Sequence, residues 1–228
     1  APTPPISITT FPQRDFVSAS GYASDDQVVI SVIHNAANFA GALPPNNGGR
    51  TATISPQATD PNLPQGQDGI VEVNHPGGAC WLGQTPDIRP GDTVRIEVIA
   101  GPNAGRIDET IVQNITAKRP VQTAANTVVV HGTAHDSFTA LAGSPLPIGD
   151  LEQDLRSTGN QFANNKSKLI ATAAVGADGT LSYDAPNSIN WSATYSGLSP
   201  ADVLLALESE AAGSWTGANE TTKFEMGD

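Results

Sequence analysis

His131, His135 and Asp136 are the residues whose types and spacing first invite a chemical interpretation. Two histidines four apart on a strand share one face, and a neighbouring carboxylate is what a metal site or a hydrolytic site would add. A metal needs three or four convergent ligands, held in turn by outer hydrogen bonds. This strand end supplies too few. The positions that match the histidines in the internal copy described below are Ser20 and Ser24, which are not ligands of the same kind. His75, beside Pro76-Gly77-Gly78, reads as a loop histidine bonded to backbone. Asp68-Gly69 and Asp178-Gly179 resemble pieces of a calcium loop, yet calcium needs several oxygen ligands at alternating positions. A single aspartate before each glycine makes a turn. The chain has no Gly-x-Ser-x-Gly elbow, no glycine-rich phosphate loop and no nucleophile–base order with a local signature. The sequence therefore predicts no catalytic residues, no metal and no cofactor, and ranks a hydrolase built on His131, His135 and Asp136 last.

The three tryptophans divide into two kinds. Trp81 and Trp191 occupy matching places in the two halves of the chain, which predicts core pins rather than sugar-stacking platforms. Trp215 has no counterpart and lies in Ala-Gly-Ser-Trp-Thr-Gly-Ala, so it is the candidate exposed contact residue.

The matching rests on an internal duplication. At an offset of 110 residues, Gly66, Asp68, Gly69, Pro76, Trp81, Pro90 and Asp92 fall on Gly176, Asp178, Gly179, Pro186, Trp191, Pro200 and Asp202. At an offset of 111, Val17, Gly21, Ala23 and Asp25 fall on Val128, Gly132, Ala134 and Asp136, and Glu109-Thr110 on Glu220-Thr221. Turn formers, one aromatic and alternating apolar positions recur, which are the residues that set a fold.

The elements that must position these residues are mostly strands. Ile6 to Phe11, Phe16 to Tyr22, Gln27 to His34, Arg50 to Ile54, Ile70 to Asn74 and Val94 to Val98 alternate apolar and polar side chains. In the second half the same holds near Val128 to Val130, Lys168 to Val175, Thr180 to Tyr183, Asn190 to Tyr195 and Thr221 to Met226. Asp150 and Gln153 make a capping-box pattern, with Leu151 and Leu155 on one face, which predicts a short helix inserted there. Val203 to Glu208 begins like a helix, but its duplicate is a strand, and the strand is favoured. The resulting expectation is an all-β chain of two tandem immunoglobulin-like β-sandwich domains. A lead and first strand fill residues 1–11, and the units fill 12–118 and 119–228. A jelly-roll variant is the alternative topology.

The chain has 228 residues and a formal charge of −12, with its acidic residues scattered, so neither nucleic acid nor an anionic membrane surface is an expected partner. No apolar run approaches the ~20 residues of a membrane span. A small first residue followed by Pro-Thr-Pro-Pro looks like the product of signal-peptide cleavage, and predicts export. One cysteine, Cys80, excludes an internal disulfide framework.

The run from His75-Pro76-Gly77-Gly78-Ala79-Cys80-Trp81 to Arg89-Pro90-Gly91-Asp92 resembles the secreted Ig-like proteins found widely in actinobacteria and related bacteria. Phe11-Pro12-Gln13-Arg14-Asp15-Phe16-Val17, Val130-His131-Gly132-Thr133-Ala134 and Gly176-Ala177-Asp178-Gly179-Thr180-Leu181-Ser182-Tyr183 fit the same family. The resemblance implies export and a pair of β-sandwiches, and assigns no active site.

The expected function is a non-enzymatic extracellular structural protein, a cell-surface or filament subunit that self-associates. The rival is a carbohydrate-binding adhesin using Trp215 on a cell-wall polysaccharide. Ile6, Ile8 and Phe11 form the candidate assembly strand. That strand either folds into its own domain or is donated to a sheet edge of a neighbouring molecule, which would build head-to-tail polymers.

Overall fold

The structure is a computed structural model, and it describes residues 2–34, 50–54, 69–74, 79–83, 85–136, 143–157, 168–172 and 179–226. It is mostly strand, arranged in three sheets, with one short α-helix. The first seven strands are β1 (Ser7–Phe11), β2 (Phe16–Ser20), β3 (Gln27–Ile33), β4 (Arg50–Ile54), β5 (Val71–Val73), β6 (Thr93–Ala100) and β7 (Ile107–Ile111). There follow β8 (Asn114–Ala117), β9 (Val121–Ala124), β10 (Thr127–His135), β11 (Leu151–Ser157), β12 (Lys168–Thr172), β13 (Gly179–Tyr183) and β14 (Asn190–Tyr195). Helix α1 (Pro200–Leu207), β15 (Glu210–Gly217) and β16 (Glu220–Met226) complete the described chain. These residues group into two compact units, Ala1–Gln113 with Thr216–Thr222, and Asn114–Trp215 with Lys223–Asp228.

In the first unit, β1 lies between two partners. It runs antiparallel to β2, from Ser7↔Ser20 to Phe11↔Phe16, and parallel to Glu220–Thr222 of β16. Strand β5 extends this layer beyond β2, while β4, β3, β6 and β7 form the facing four-stranded sheet in that order. Alternation puts Ile6, Ile8, Val17 and Ala19 from one layer against Val28, Ile30, Val94 and Ile96 from the other, all in one buried cluster. Asp26, a buried carboxylate of this unit, is tied to nearby backbone and to Asn103. Asp26 accepts from Ala23 N (3.0 Å), Asn103 N (3.0 Å) and Asn103 Nδ2 (2.8 Å). Burial alone would push its carboxyl up, but those donors outweigh burial and hold it below its ordinary value.

Both edges of β1 are thus occupied within the chain, and Ile6 and Ile8 are 1% and 0% exposed. One backbone pairing at the start of β1 recurs in the second half. Ser7 pairs with Ser20; moved by 111 residues, that pair becomes Lys118 and His131, and Lys118 N donates to His131 O at 2.7 Å. The β8–β10 ladder continues in the same register, from Gly132↔Ala117 to His135↔Asn114. Beyond that point the match ends, because β9 pairs with β10 one to two residues out of that register (Val128↔Gln122, Thr127↔Ala124), while Phe11 stacks on Phe16 of the next strand (ring centroids 4.6 Å apart).

In the second unit, one layer carries β12, β11 and β15, and the other carries β13, β14 and β10, with β8 and β9 both pairing with β10. Trp191, Tyr195, Val128, Val130, Leu151 and Leu155 share a core with Val203 and Ala206 of α1. The two halves do not repeat their pairing throughout. Strand β2 pairs with β5, whereas β14 stands between β10 and β13, the counterpart of β5.

Two local expectations are corrected. The helix predicted at Asp150–Leu155 is a 3-10 turn, Ile148–Asp150, followed by strand β11. Leu151 and Leu155 are spaced for either element, but Gln153 between them is fully buried rather than capping a helix. Its Nε2 donates to Ala212 O (3.2 Å), and the Tyr195 hydroxyl donates to its backbone O (2.8 Å) and its Oε1. Conversely, Pro200–Leu207 is a helix, not a strand. Ser199 Oγ accepts from Asp202 N (3.1 Å) and donates to Asp202 Oδ2 (2.8 Å), an N-cap with proline at the first helical position. In the duplicate, Asp92 Oδ2 likewise accepts from Arg89 N (2.9 Å), but Gly91 at φ 90 takes the left-handed conformation that ends a turn. Beyond it, Val94, Ile96, Val98 and Ile99 are β-branched, while Leu204, Leu205, Ala206 and Leu207 favour helix.

Trp191 is 1% exposed, and its ring is admitted by two glycines. A Cβ on Gly132 would stand 2.2 Å from Trp191 Cζ2 and 2.0 Å from Thr116 O, and one on Gly213 would stand 3.3 Å from Cζ2. Gly132→Ala should therefore destabilise the fold by about 1–3 kcal/mol, the scale of core overpacking. Urea denaturation checks this: an unchanged midpoint would show that the ring and β8 move aside freely.

Candidate functional site

Among the described residues, two exposed surfaces, one in each unit, gather side chains of interest. In the second unit, strand register places Ser182, Ser192 and His131 in one cross-strand row. The β13–β14 hairpin closes with Asp184 N donating to Asn190 O (2.9 Å), which brings the Asp184 carboxylate over the row. Ser192 Oγ donates to Asp184 Oδ1 at 2.5 Å and lies 2.9 Å from His131 Nδ1. One row away, Thr116 Oγ1 and Thr133 Oγ1 are 2.7 Å apart. A hydrolytic triad puts the histidine between serine and carboxylate, so that the imidazole takes the serine proton. Here the serine stands in the middle: its hydroxyl donates to the carboxylate, and His131 Nδ1 contacts the same hydroxyl oxygen. That order differs from a hydrolytic triad, in which the histidine stands between serine and carboxylate.

His135 and Asp136 do not join this cluster. His135 is buried, whereas His131 is exposed. Asp136 Oδ1 accepts from Ser144 N (2.8 Å), and Asp136 N donates to Ser144 O (3.0 Å). Among the described residues no group of three or more His, Cys, Asp or Glu side chains is placed to hold a metal ion. His75, Asp68 and Asp178 lie outside the described residues.

Trp81 is 6% exposed, and its Nε1 donates to Asp15 O at 2.9 Å. Asp15 holds the opposite side of that contact, because its Oδ1 accepts from Ile88 N (2.7 Å). Burial pushes the Asp15 carboxyl up from its ordinary value, partly offset by the Ile88 bond. Trp215 is not a loop residue. It sits in β15 opposite Leu151, packs half-buried against the core of the second unit, and its Nε1 is buried without a hydrogen-bond partner. Cys80 is exposed and unpaired with another cysteine.

The second surface is the outer face of the four-stranded sheet in the first unit. Cross-strand pairing runs Ile33↔Thr93↔Ile111, Ser31↔Arg95↔Glu109 and Val29↔Glu97↔Ile107. Ile33, Ile99, Ile107 and Ile111 are among the eight exposed large hydrophobic residues described, so half of them gather on this one sheet. Arg95 sits at the centre, Nη1 at 3.3 Å from Glu109 Oε1 and Nη2 at 3.5 Å from Glu97 Oε2. In β7 the usual polarity is inverted. Asp108 and Thr110 point inward, where Asp108 meets the Tyr22 hydroxyl (3.3 Å) and Arg106 Nε (2.8 Å), while both isoleucines point out. The facing of this strand was not legible in the sequence, since which parity of residues is buried depends on partners distant in the chain, Tyr22 and Glu220. The Ser192–Asp184 link to His131 was equally hidden, because it arises from the pairing of β10 with β14.

Compared with known protein families and with characterised proteins, the chain matches none. No described helix is long and apolar enough to cross a membrane.

The phenols supply a measurable property of the scaffold around the polar row. Tyr183 donates to Leu146 O at 2.6 Å, and burial pushes its hydroxyl up to about 12. An unfolded tyrosine loses its proton near pH ~10. The folded form therefore holds a proton that the unfolded form releases, and the associated stability is complete below pH ~10 and lost as pH rises toward the folded value. Thermal melts should fall over that window, and Tyr183→Phe should flatten the fall. A parent protein equally stable at both ends of the window would contradict the assignment.

Proposed function

We propose that this chain is a non-enzymatic, exported structural protein, a subunit that works at a cell surface or in an assembly through contacts of its sheets, and that each unit is an Ig-like β-sandwich. The observation that carries the proposal is the gathering of exposed isoleucines on the open outer face and edge strand of the four-stranded sheet. Apolar side chains on an open edge are the feature soluble monomers suppress, and they mark a contact surface. Two sheets enclosing one core in each unit support the sandwich assignment. The contact is placed on this sheet rather than on Ile6, Ile8 and Phe11, because β1 has both edges filled.

Sedimentation velocity and negative-stain microscopy across a concentration series test the proposal. Concentration-dependent association of the parent is expected; a single monomer species throughout would count against it. A variant lacking residues 1–11 should melt at lower temperature. Burial of Ile6 and Ile8 is worth roughly 1.5–3 kcal/mol for each side chain. If that variant instead keeps its melting temperature and loses only assembly, the first strand is the contact and the sheet face is not.

A second function is favoured by the hydroxyl-rich row at His131, Ser192 and Asp184, which offers donors and an acceptor to sugar hydroxyls. Retention on insoluble cell-wall polysaccharide, abolished by Ser192→Ala and unaffected by Trp215→Phe, would establish it.

A further inference from the structure

We infer that β7 is a self-pairing edge: two copies join antiparallel along Ile107–Ile111 about a two-fold axis at Glu109, extending the four-stranded sheet across the contact. The inference rests on the assembly function proposed above and specifies the partner as a second copy of this chain.

The backbone sets the register. Val98 N donates to Arg106 O (2.9 Å) and Val112 N to Asp92 O (2.9 Å), so residues 106 and 112 face β6. Alternation along an antiparallel ladder then turns the N–H and C=O groups of Ile107, Glu109 and Ile111 to the outer edge. Strand β7 ends its sheet, so among the described residues no strand covers that edge. The Ile111 carbonyl accepts only a side-chain bond there, from Gln113 Nε2 at 3.2 Å, which a second strand would displace.

The same three residues carry the outward side chains, and their order, Ile-x-Glu-x-Ile, reads alike in both directions. Antiparallel pairing about Glu109 sets each Ile107 opposite the Ile111 of the other copy. The two isoleucines are 47% and 45% exposed, so both have surface to lose. This self-complementarity selects a second copy over an unrelated peptide, and isologous pairing is the commonest oligomer geometry. Glu109 faces its own image, a like-charge opposition that weakens a cross-strand pair, moderated by Arg95 beside each carboxylate. Each molecule also carries a formal charge of −12, so the contact should strengthen as salt screens the repulsion.

Sedimentation velocity on the full chain tests this with three variants. Ile107→Lys with Ile111→Lys should be monomeric at concentrations where the parent associates, with the melting temperature close to that of the parent because both side chains are exposed. Leu204→Lys, at the exposed position of α1, is the control and should associate like the parent. Glu109→Gln should tighten association about two- to five-fold by removing the like-charge opposition. A parent that associates together with an equally associated double-lysine variant would overturn the β7 contact and leave the assembly function standing. A parent that stays monomeric at all concentrations and salt levels would overturn both. If the double-lysine variant fails to fold, the Glu109→Gln arm decides: unchanged or weakened association rejects a two-fold axis at Glu109.

Discussion

Trp191→Ala is expected to destabilise the protein by about 3–5 kcal/mol, the cost of removing a large aromatic from a packed core. Its ring is almost wholly buried, between Gly132 of β10 and Gly213 of β15, so its loss opens a cavity lined by both layers of the second unit. The indole Nε1 is buried without a hydrogen-bond partner. Trp191→Phe should therefore cost much less than Trp191→Ala, since phenylalanine keeps most of the volume and removes an unsatisfied donor. Equilibrium urea unfolding measures both. A Trp191→Ala protein as stable as its parent would mean that the ring lies on a surface.

Trp81→Ala should cost a similar 3–5 kcal/mol, with a different response to the conservative change. Trp81 Nε1 donates to Asp15 O at 2.9 Å, and Asp15 in turn accepts from Ile88 N, so the indole closes a link between the turn after β1 and the segment before β6. Trp81→Phe deletes that donor to the half-buried Asp15 carbonyl, which adds about 0.5–1.5 kcal/mol, the net worth of one hydrogen bond. The contrast between the two phenylalanine variants is the discriminating result. If Trp81→Phe is tolerated as well as Trp191→Phe, the Asp15 contact contributes nothing in solution.

The different polar surroundings of the two tryptophans show how far the sequence could be followed. Their burial was legible from duplication, because a large apolar ring at a repeated place in a strand-rich chain is most simply accommodated inside. Their partners were not. Strand positions were legible from alternation: β3, β6 and β14 read as strands because β-branched and aromatic residues recur with period two. At Val203–Leu207 the duplicate pointed the wrong way. A glycine at 91 became alanine at 201, and a β-branched run became leucine and alanine, so local propensity prevailed over descent. At Leu151–Leu155 the spacing of two leucines fits a helix face or a strand face, and only the burial of Gln153 against Tyr195 separates them. Ser7–Phe11 and residues 118–122 share one backbone pairing, Ser7 with Ser20 and Lys118 with His131, and almost no residue types.

The exposed features were the least legible for the same reason. Ile107 and Ile111 face outward because Asp108 and Thr110 find polar partners inside, Tyr22 and Arg106 for the first and Glu220 Oε2 (2.7 Å) for the second. Tyr22 and Glu220 lie far from both residues in the chain. A buried polar pair thus dictates an exposed apolar pair on the next residues, and an edge strand acquires a contact face.

Amide hydrogen exchange on the parent protein at low and high concentration tests the central claim most directly. The edge-facing amides of Ile107, Glu109 and Ile111 should exchange quickly in dilute solution and become protected as concentration rises. Those of Asp108 and Thr110, already paired with β6, should stay protected at both. Exchange at Ile107, Glu109 and Ile111 that is fast at every concentration, while the protein associates, would place the contact on another surface of the molecule.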